Sequence, residues 1–428
     1  MEKTIKKYLI RHKIISYDIL NNANKEGLFV VIPAYLEQNT LPVTLESLRN
    51  TYRDGLPINI IVVVNCGKDD PEIIRKQSQE LYEWCIQYAQ QYNNECFKIL
   101  TIGAFDFDSK SKGAGIARKT GMDQVVAFCD NNGLDDTVII SMDADSTVEP
   151  NYFIELNRFF NEPKNMGCSI KYAHPLEANE YDDQIIEGIT LYELHLRYYI
   201  QCLKASGFPY AFHTVGSSMA FRMSSYVKAG GMTKKQAGED FYMIHKLVLQ
   251  GGFKELNTTT VFPSPRSSDR VIFGTGATIK EWLAQKQKVY YTYNIQSFID
   301  LKELFTVSEK FFKITHEEYD GIIAKLPGRV RSFLVETDFW SDINHINANC
   351  SETRTFAKRF FEYFSAFKVI KYLNFVHRHF IEKSDVIDAA TKLLETNEII
   401  SEFSCPEAKE LLEIFRGLDM EGTILSLQ

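Results

Sequence analysis

An apolar run, LFVVI at residues 28–32, decides the fold of this chain, and the polar-ended stretch PAYLE follows it directly at residues 33–37. Five apolar residues without alternation are typical of a strand that is buried on both faces, as in a parallel sheet. A second run of this kind, NIIVVV, lies at residues 59–64, and residues 40–50 between the two runs have helical spacing. Strand, helix and strand in this order predict a parallel βαβ unit.

The alternation of strands and helices continues beyond this unit, so we predict an α/β fold with a mixed, mostly parallel sheet flanked by helices. Further strands are predicted at residues 97–102, 138–142 and 218–222, and further helices at residues 71–92, 113–128, 181–203 and 240–249. Strand signals end near residue 298, and the helical patterns at residues 302–313, 356–380 and 385–395 predict an α-helical C-terminal domain. The expected division is an N-terminal helical extension (1–27), an α/β domain (28–300) and the helical domain (301–428).

Composition limits the classes of partner. The chain has 428 residues, 45% of them hydrophobic, and a formal net charge of −8, which fits a globular protein without the basic footprint of nucleic-acid binding. No apolar run approaches the roughly 18 residues of a membrane span, although peripheral membrane contact stays possible. The eight cysteines form no CxxC pattern. We therefore expect a cytoplasmic protein.

Two carboxylates, Asp143 and Asp145, directly follow the predicted strand at residues 138–142. Ligands of open α/β sheets bind beyond the carboxyl ends of the strands, and two carboxylates there can face one hard divalent cation. Such a cation would bridge the diphosphate of a nucleotide donor. The alternative is an acidic turn that is only solvated.

A second acidic pair, Glu239 and Asp240, opens the helix at residues 240–249. One of these carboxylates could be a general base that removes a proton from an acceptor hydroxyl. The alternative is a capping or dipole role, which is common for acidic residues in a first helical turn. Gly216 and the pair at 230–231 precede this helix and could let the backbone approach a ligand closely.

Basic residues that could meet phosphates lie in two stretches. Lys112 and Arg118 flank the start of the helix at residues 113–128, and Arg118 replaces the third glycine of a GxGxxG motif, so a dinucleotide loop is not indicated. Arg266 and Arg270 lie in a stretch rich in Ser, Thr, Pro and Gly, residues 257–278, which we predict to be a loop that closes over a diphosphate. The alternative for Lys112 and Arg118 is an ordinary first turn of a helix that binds no ligand. The alternative for Arg266 and Arg270 is a solvated surface loop.

Taken in order, these motifs resemble the family-2 glycosyltransferases of the GT-A fold. The motifs are VVIPAYLE at residues 30–37, residues 113–121, Met142-Asp143-Ala144-Asp145, the glycines at 230–231, and Glu239-Asp240. The resemblance implies a nucleotide half at about residues 28–145, an acceptor half at about 146–300, and an inverting reaction. It also implies a divalent cation, Mn²⁺ or Mg²⁺, on Asp145, with Asp143 on the ribose or a metal-bound water. Asp240 would be the base, and the edge of the nucleotide site would be formed by Pro33, Ala34, Tyr35 and Glu37.

Two departures from the family pattern narrow the expected function. Where the family usually has an acidic pair after the second strand, this chain has Asn65 and Cys66, which leaves a UDP- or a GDP-sugar open as donor, with Asn65 still able to bind a base edge. The Gln-x-x-Arg-Trp motif of processive synthases is missing after Asp240, which favours addition of one sugar to a glycan, a lipid-linked or a small-molecule acceptor. The alternatives are a sugar-phosphate nucleotidyltransferase and a catalytically degenerate, glycan-binding relative.

Overall fold

The computed structural model describes residues 2–14, 18–108, 113–134, 136–177, 181–234, 238–268, 274–401 and 405–427. Contacts within the chain divide it into two compact units. We call them the α/β unit, Met1–Ile186 with Thr214–Leu283, and the helical unit, Glu187–His213 with Ala284–Gln428. This division does not test the domain limits expected from the sequence at residues 27, 145 and 300, which remain predictions.

The α/β unit contains an eight-stranded sheet with the strand order β3-β2-β1-β4-β7-β6-β8-β5. The strands are β1 (Leu28–Ala34), β2 (Ile58–Gly67), β3 (Phe97–Phe107), β4 (Val138–Ser141), β5 (Ser146–Val148), β6 (Gly167–Tyr172), β7 (Met219–Arg222) and β8 (Phe253–Pro263). β1 lies between β2 and β4 and pairs with both in parallel, and β2 pairs with β3 in parallel. β7 is antiparallel to β4 and β6, whereas β6 and β8 are parallel. The predicted fold class is confirmed.

The helices of the α/β unit are α1 (Glu2–His12), α2 (Leu41–Arg49), α3 (Glu72–Tyr92), α4 (Ala114–Asn132), α5 (Tyr152–Phe160), α7 (Met223–Lys228), α8 (Glu239–Val248) and α9 (Thr275–Ala284). The helix α6 (Asp183–Ala205) belongs to the helical unit from Glu187 on. The core on one face joins Val30 and Val62 to Leu45 of α2 and Leu81 of α3. On the other face α4 lies very close to the sheet, because a Cβ on Gly121 would come within 2.5 Å of Val31 Cγ1.

The predicted loop at residues 257–278 is wrong for most of its described residues. Residues up to Pro263 belong to β8, which pairs with β5 and β6, and Thr275 begins α9. The stretch NTTTV at residues 257–261 is rich in β-branched residues, and these fit a pleated strand better than their polarity suggests. Only residues 264–268 and 274 remain as irregular backbone within the described part of the stretch.

The helical unit holds, besides most of α6, the helices α10 (Ile295–Thr306), α11 (His316–Ile323), α12 (Gly328–Glu336), α13 (Phe339–Ala348), α14 (Thr353–Tyr363), α15 (Ala366–His379), α16 (Val386–Thr396) and α17 (Ala408–Glu421). A short antiparallel pair, β9 (Tyr291–Thr292) and β10 (Ser384–Asp385), is present as well. The single helix predicted at residues 356–380 is two helices, because the backbone leaves the helical region at Phe364, whose ring is fully buried. Among the described residues, no helix is long and apolar enough to cross a bilayer.

Candidate active site

The candidate residues meet at one edge of the sheet because their strands are neighbours. β1 and β4 run in parallel with Val31 opposite Ser141, so the segments that follow them, with Glu37 and with Asp143 and Asp145, leave the sheet on the same side. The end of β8 meets the start of β5, where Ser146 lies opposite Pro263. The sheet register therefore brings Arg266, three residues beyond β8, to the two aspartates.

We call the residues Arg266, Asp145 and Glu37 the outer cluster. Arg266 donates from Nε to Asp145 Oδ2 at 2.7 Å, and from Nη2 to both carboxylate oxygens of Glu37 at 2.8 and 2.7 Å. Thr40 Oγ1 donates to Glu37 Oε2 at 2.5 Å and fixes that carboxylate from the other side. The cluster is partly open to solvent, since the Arg266 side chain is 29% exposed.

Backbone strain lies next to this cluster. Leu36, in the connection between β1 and α2, has a φ of +56°, which is unusual for a bulky residue without a turn-forming side chain. Such conformations cost on the order of 1–3 kcal/mol and persist where surrounding contacts over-determine them. The hydrogen bonds that Thr40 and Arg266 donate to the next residue, Glu37, are contacts of this kind.

We call the residues Arg118, Asp143 and Glu239 the inner cluster. Arg118, on the second turn of α4, donates from Nη1 to Glu239 Oε1 and from Nη2 to Asp143 Oδ1. Its side chain is only 4% exposed. The predicted binding site for phosphate at Arg118 therefore already holds two carboxylates, and its role toward a donor remains a prediction.

Gly216 leaves room for the Arg118 guanidinium of the inner cluster. A Cβ at this position would lie 2.7 Å from Nη2 of Arg118, and such a short contact forces one of the two groups to move. Gly231 is similar, since its Cβ would lie 2.0 Å from the Tyr8 hydroxyl. Both glycines, which the sequence suggested for close approach to a ligand, accommodate side chains of the protein itself.

Asp240 is the second residue of α8 and adjoins the inner cluster through Glu239. Burial and the neighbouring Glu239 carboxylate raise the pKa of Asp240 to about 7, while Arg118 and the backbone N–H of Phe241 act in the opposite direction. The N-cap position belongs to Gly238, and the Asp240 carboxylate accepts from the adjacent Phe241 N–H at 2.7 Å. Asp240 is therefore not the N-cap of this helix, and its pKa suits a general base near neutral pH.

Asp145 is the second carboxylate with a raised pKa. Burial and the charges of Asp143 and Glu37 raise the pKa of Asp145 to about 6, although Arg266 opposes the shift. Four carboxylates and two arginines thus occupy one edge of the sheet, together with Asp240. Two carboxylates with raised pKa values, Asp145 and Asp240, within one cluster of charged side chains are typical of a functional site.

Asp143 and Asp145 carry the carboxylate oxygens that Mn²⁺ and Mg²⁺ prefer, and their role as metal ligands remains a prediction. Among the described residues, no group of three or more His, Cys, Asp or Glu side chains could hold a metal ion. The protein itself thus offers this pair, with the remaining positions left to water and to phosphate oxygens, as is common for Mg²⁺. Each of the two carboxylates accepts a hydrogen bond from an arginine, Asp143 from Arg118 and Asp145 from Arg266.

The other predicted donor residues lie along β1 and β2. Pro33 and Ala34 end β1, and Asn65 is buried near the end of β2, opposite Ala104. Tyr35 donates through its hydroxyl to Asp70 Oδ2 at 3.5 Å. Lys112 and Arg270 lie outside the described residues.

Asp70 lies beside the predicted donor residues and was not singled out by the sequence analysis. Its carboxylate accepts the Tyr35 hydroxyl at 3.5 Å and the backbone N–H of Gly67 at 2.7 Å, so it folds back toward the end of β2. The signal in the sequence was the acidic pair Asp69-Asp70, which follows Asn65 by four residues.

Comparison with known proteins is consistent with this geometry. Residues 138–367, more than half of the chain, match the glycosyl transferase family group 2, and residues 29–100 match the glycosyl transferase family 2. The crystal structure of S. aureus TarS 1–349 in complex with UDP-GlcNAc is similar at 13% identity, over 74% of this chain and 88% of that chain, with a TM-score of 0.41. TarS 1–349 in complex with UDP is similar at 12% identity over the same shares, with a TM-score of 0.39.

These TM-scores are too low for the likeness to TarS to bear on fold or activity, and no curated protein matches the chain. The family match is different in kind, because it spans the aspartate pair, the β7 region and α8 in one continuous stretch. The chain therefore belongs to the glycosyl transferase family group 2, as its motifs predicted, and is a glycosyltransferase.

Proposed function

We propose that this enzyme transfers one sugar, with inversion, from a nucleotide-sugar to an acceptor hydroxyl, and that Asp240 is its general base. The observation that carries the proposal is a carboxylate with a pKa of about 7 on the first turn of α8, joined through Glu239 and Arg118 to Asp143. A base must be ionised at the working pH and still hold a proton well, and this pKa meets both conditions.

The proposed reaction is a single displacement. The acceptor oxygen forms a bond to the anomeric carbon as its proton passes to Asp240, and the bond from that carbon to the phosphate oxygen breaks. The electron pair leaves with the nucleoside diphosphate. Because attack and departure occur on opposite faces, the anomeric configuration inverts.

A divalent cation, Mn²⁺ or Mg²⁺, on Asp145 and Asp143 is part of the proposal. It would neutralise the charge that develops on the leaving diphosphate. Two observations support it. Both proposed ligands offer oxygen atoms, which suit these ions. Burial and the negative charges of Asp143 and Glu37 disfavour the ionised form of Asp145 even beside Arg266, and a divalent cation there would favour it.

The donor is proposed to be a UDP- or GDP-sugar bound along β1 and β2. Pro33, Ala34, Tyr35 and Asn65 end these strands at the edge that carries the aspartate pair. The acceptor is a glycan, a lipid-linked or a small-molecule hydroxyl, and a cytoplasmic location fits the eight cysteines, all of which are free.

The nucleotidyltransferase alternative predicts release of pyrophosphate, whereas a glycosyltransferase releases a nucleoside diphosphate, so product analysis separates them.

Isothermal titration of UDP and GDP into metal-free and Mn²⁺-loaded protein tests the metal assignment. We expect binding of at least one nucleotide that depends on Mn²⁺ and is lost in Asp145→Asn. The same titration on Asp240→Asn should give near-normal affinity, because the base does not bind the donor. Equal affinity with and without metal would contradict the assignment of Asp143 and Asp145.

A further inference from the structure

The outer cluster places an arginine on an oxygen that the proposed cation would use. Arg266 Nε is 2.7 Å from Asp145 Oδ2, a full hydrogen bond to a carboxylate. Glu37 holds the same guanidinium with two further bonds, at 2.8 and 2.7 Å. Arg266 is thus the counter-cation of both carboxylates.

A guanidinium and a divalent cation cannot share this carboxylate without strong repulsion. Two positive charges on one carboxylate repel each other, and a divalent ion doubles the repulsion that a unit charge would exert. A cation that takes the Oδ2 oxygen of Asp145 therefore displaces Arg266 from that oxygen. The 29% exposure of Arg266 and its place in the irregular segment 264–268 leave the side chain free to turn.

Once displaced, the Arg266 guanidinium can bind another anionic group, the diphosphate of the donor. The outer cluster carries two negative charges and one positive charge, so it gains a net positive charge when a divalent ion binds. A diphosphate then meets both the ion and an arginine, whose planar fork suits phosphate oxygens. In the absence of the ion the same arginine is occupied by Asp145 and Glu37.

We propose that Arg266 is an exchange residue: it neutralises Asp145 and Glu37 in the ligand-free enzyme, yields Asp145 to the divalent cation, and then binds the diphosphate of the donor. This inference rests on the proposed function. Its consequence is that Arg266 weakens the binding of the cation alone and couples cation and nucleotide positively, so that each tightens the binding of the other.

The test is a titration of free Mn²⁺ by its electron paramagnetic resonance signal, without nucleotide and with UDP or GDP. Removal of the competing guanidinium in Arg266→Gln should tighten Mn²⁺ binding without nucleotide about 5- to 50-fold. The same variant should lose most of the coupling, which typically amounts to 5- to 150-fold in the intact protein. Glu37→Gln removes a negative charge from the outer cluster and leaves Arg266 on Asp145, so this variant should not tighten Mn²⁺ binding without nucleotide.

Arg49→Gln is the matched control, because Arg49 pairs with Glu46 in α2 and its loss changes the net charge equally. Its Mn²⁺ affinity should equal that of the unchanged protein. Unchanged or weaker Mn²⁺ binding in Arg266→Gln without nucleotide overturns the exchange while leaving the cation site intact. Absence of Mn²⁺ binding in every protein, with and without nucleotide, overturns the exchange and the proposed metal dependence together.

Discussion

The inner and outer clusters use the same chemistry in different surroundings. In each, one arginine bridges an aspartate of the Asp143-Ala144-Asp145 motif to a glutamate from a distant segment. The Arg118 side chain is 4% exposed and that of Arg266 is 29% exposed. Removing one partner of a buried ion pair leaves a charge without compensation, whereas a pair open to water loses little. The difference indicates that Arg118 is a fixed brace of the inner cluster, whereas Arg266 makes an exchangeable contact in the outer cluster.

The elements that carry the two arginines agree with this interpretation. Arg118 lies on α4, which is close to the sheet at Gly121, so its position is fixed by the core. Arg266 lies in an irregular segment beyond β8. The brace joins the aspartate motif to the start of α8, and thereby relates the donor side of the site to Asp240.

The largest expected effect is on the base beside the inner cluster. Asp240→Asn should lower transfer about 100- to 10,000-fold, because asparagine keeps the shape but cannot accept a proton. Single-turnover transfer and nucleotide affinity should be measured together, and affinity should change little. Glu239→Gln is the control for the adjacent carboxylate. Near-normal transfer by Asp240→Asn, with loss only in Glu239→Gln, would assign the base to Glu239.

Loss of the brace should be the largest effect on stability. Arg118→Gln leaves the buried Glu239 and the part-exposed Asp143 without their cation, and we expect the free energy of unfolding to fall by about 3–5 kcal/mol, chiefly through Glu239. Denaturant unfolding followed by circular dichroism measures this change. A loss below about 1 kcal/mol would show that the inner cluster is as exchangeable as the outer one.

The space around Arg118 gives a smaller effect. Gly216→Ala adds a Cβ that would lie 2.7 Å from Nη2, and overpacking of this kind costs about 1–3 kcal/mol. The same unfolding experiment measures this change. Gly133→Ala is unsuitable as a control, because the φ of Gly133 is positive. Gly417→Ala is suitable, since nothing lies within 4 Å of its Cβ. Equal stability of the two variants would contradict the tight fit.

The pH dependence of the transfer rate should distinguish the role of Arg118 from that of Arg266. Asp240 must be ionised to act, and its pKa is about 7, so the transfer rate should fall about tenfold per pH unit below 7 and level off above it. Since Arg118 holds this pKa down, Arg118→Gln should move the acid limb to higher pH, whereas Arg266→Gln should leave it in place. An acid limb near pH 4, the range of an ordinary aspartate, would contradict the assignment.

The sequence predicted five of the eight strands of the sheet, missed β5, β6 and β8, and predicted the pairing of side chains poorly. The runs at residues 28–32 and 59–64 correspond to β1 and β2 because a strand buried on both faces needs apolar residues throughout. Arg118 and Glu239, in contrast, are separated by 121 positions, and only the packing of α4 and α8 brings them together. β8 was missed because threonine is both polar and β-branched, and only its pairing with β5 and β6 decides which property prevails.

The smallest expected effect completes the comparison. Arg266→Gln should change the free energy of unfolding by only about 1 kcal/mol, because the guanidinium is 29% exposed and ion pairs in contact with water contribute little, although the Glu37 and Asp145 side chains are only 11% and 21% exposed. The measurement is the unfolding experiment used for Arg118→Gln, at the same pH and without metal. Glu37 would still accept from Thr40, which limits the loss further. If Arg266→Gln proved as destabilising as Arg118→Gln, the outer cluster would be a structural brace, and a cation that displaces its arginine would have to overcome that stability as well.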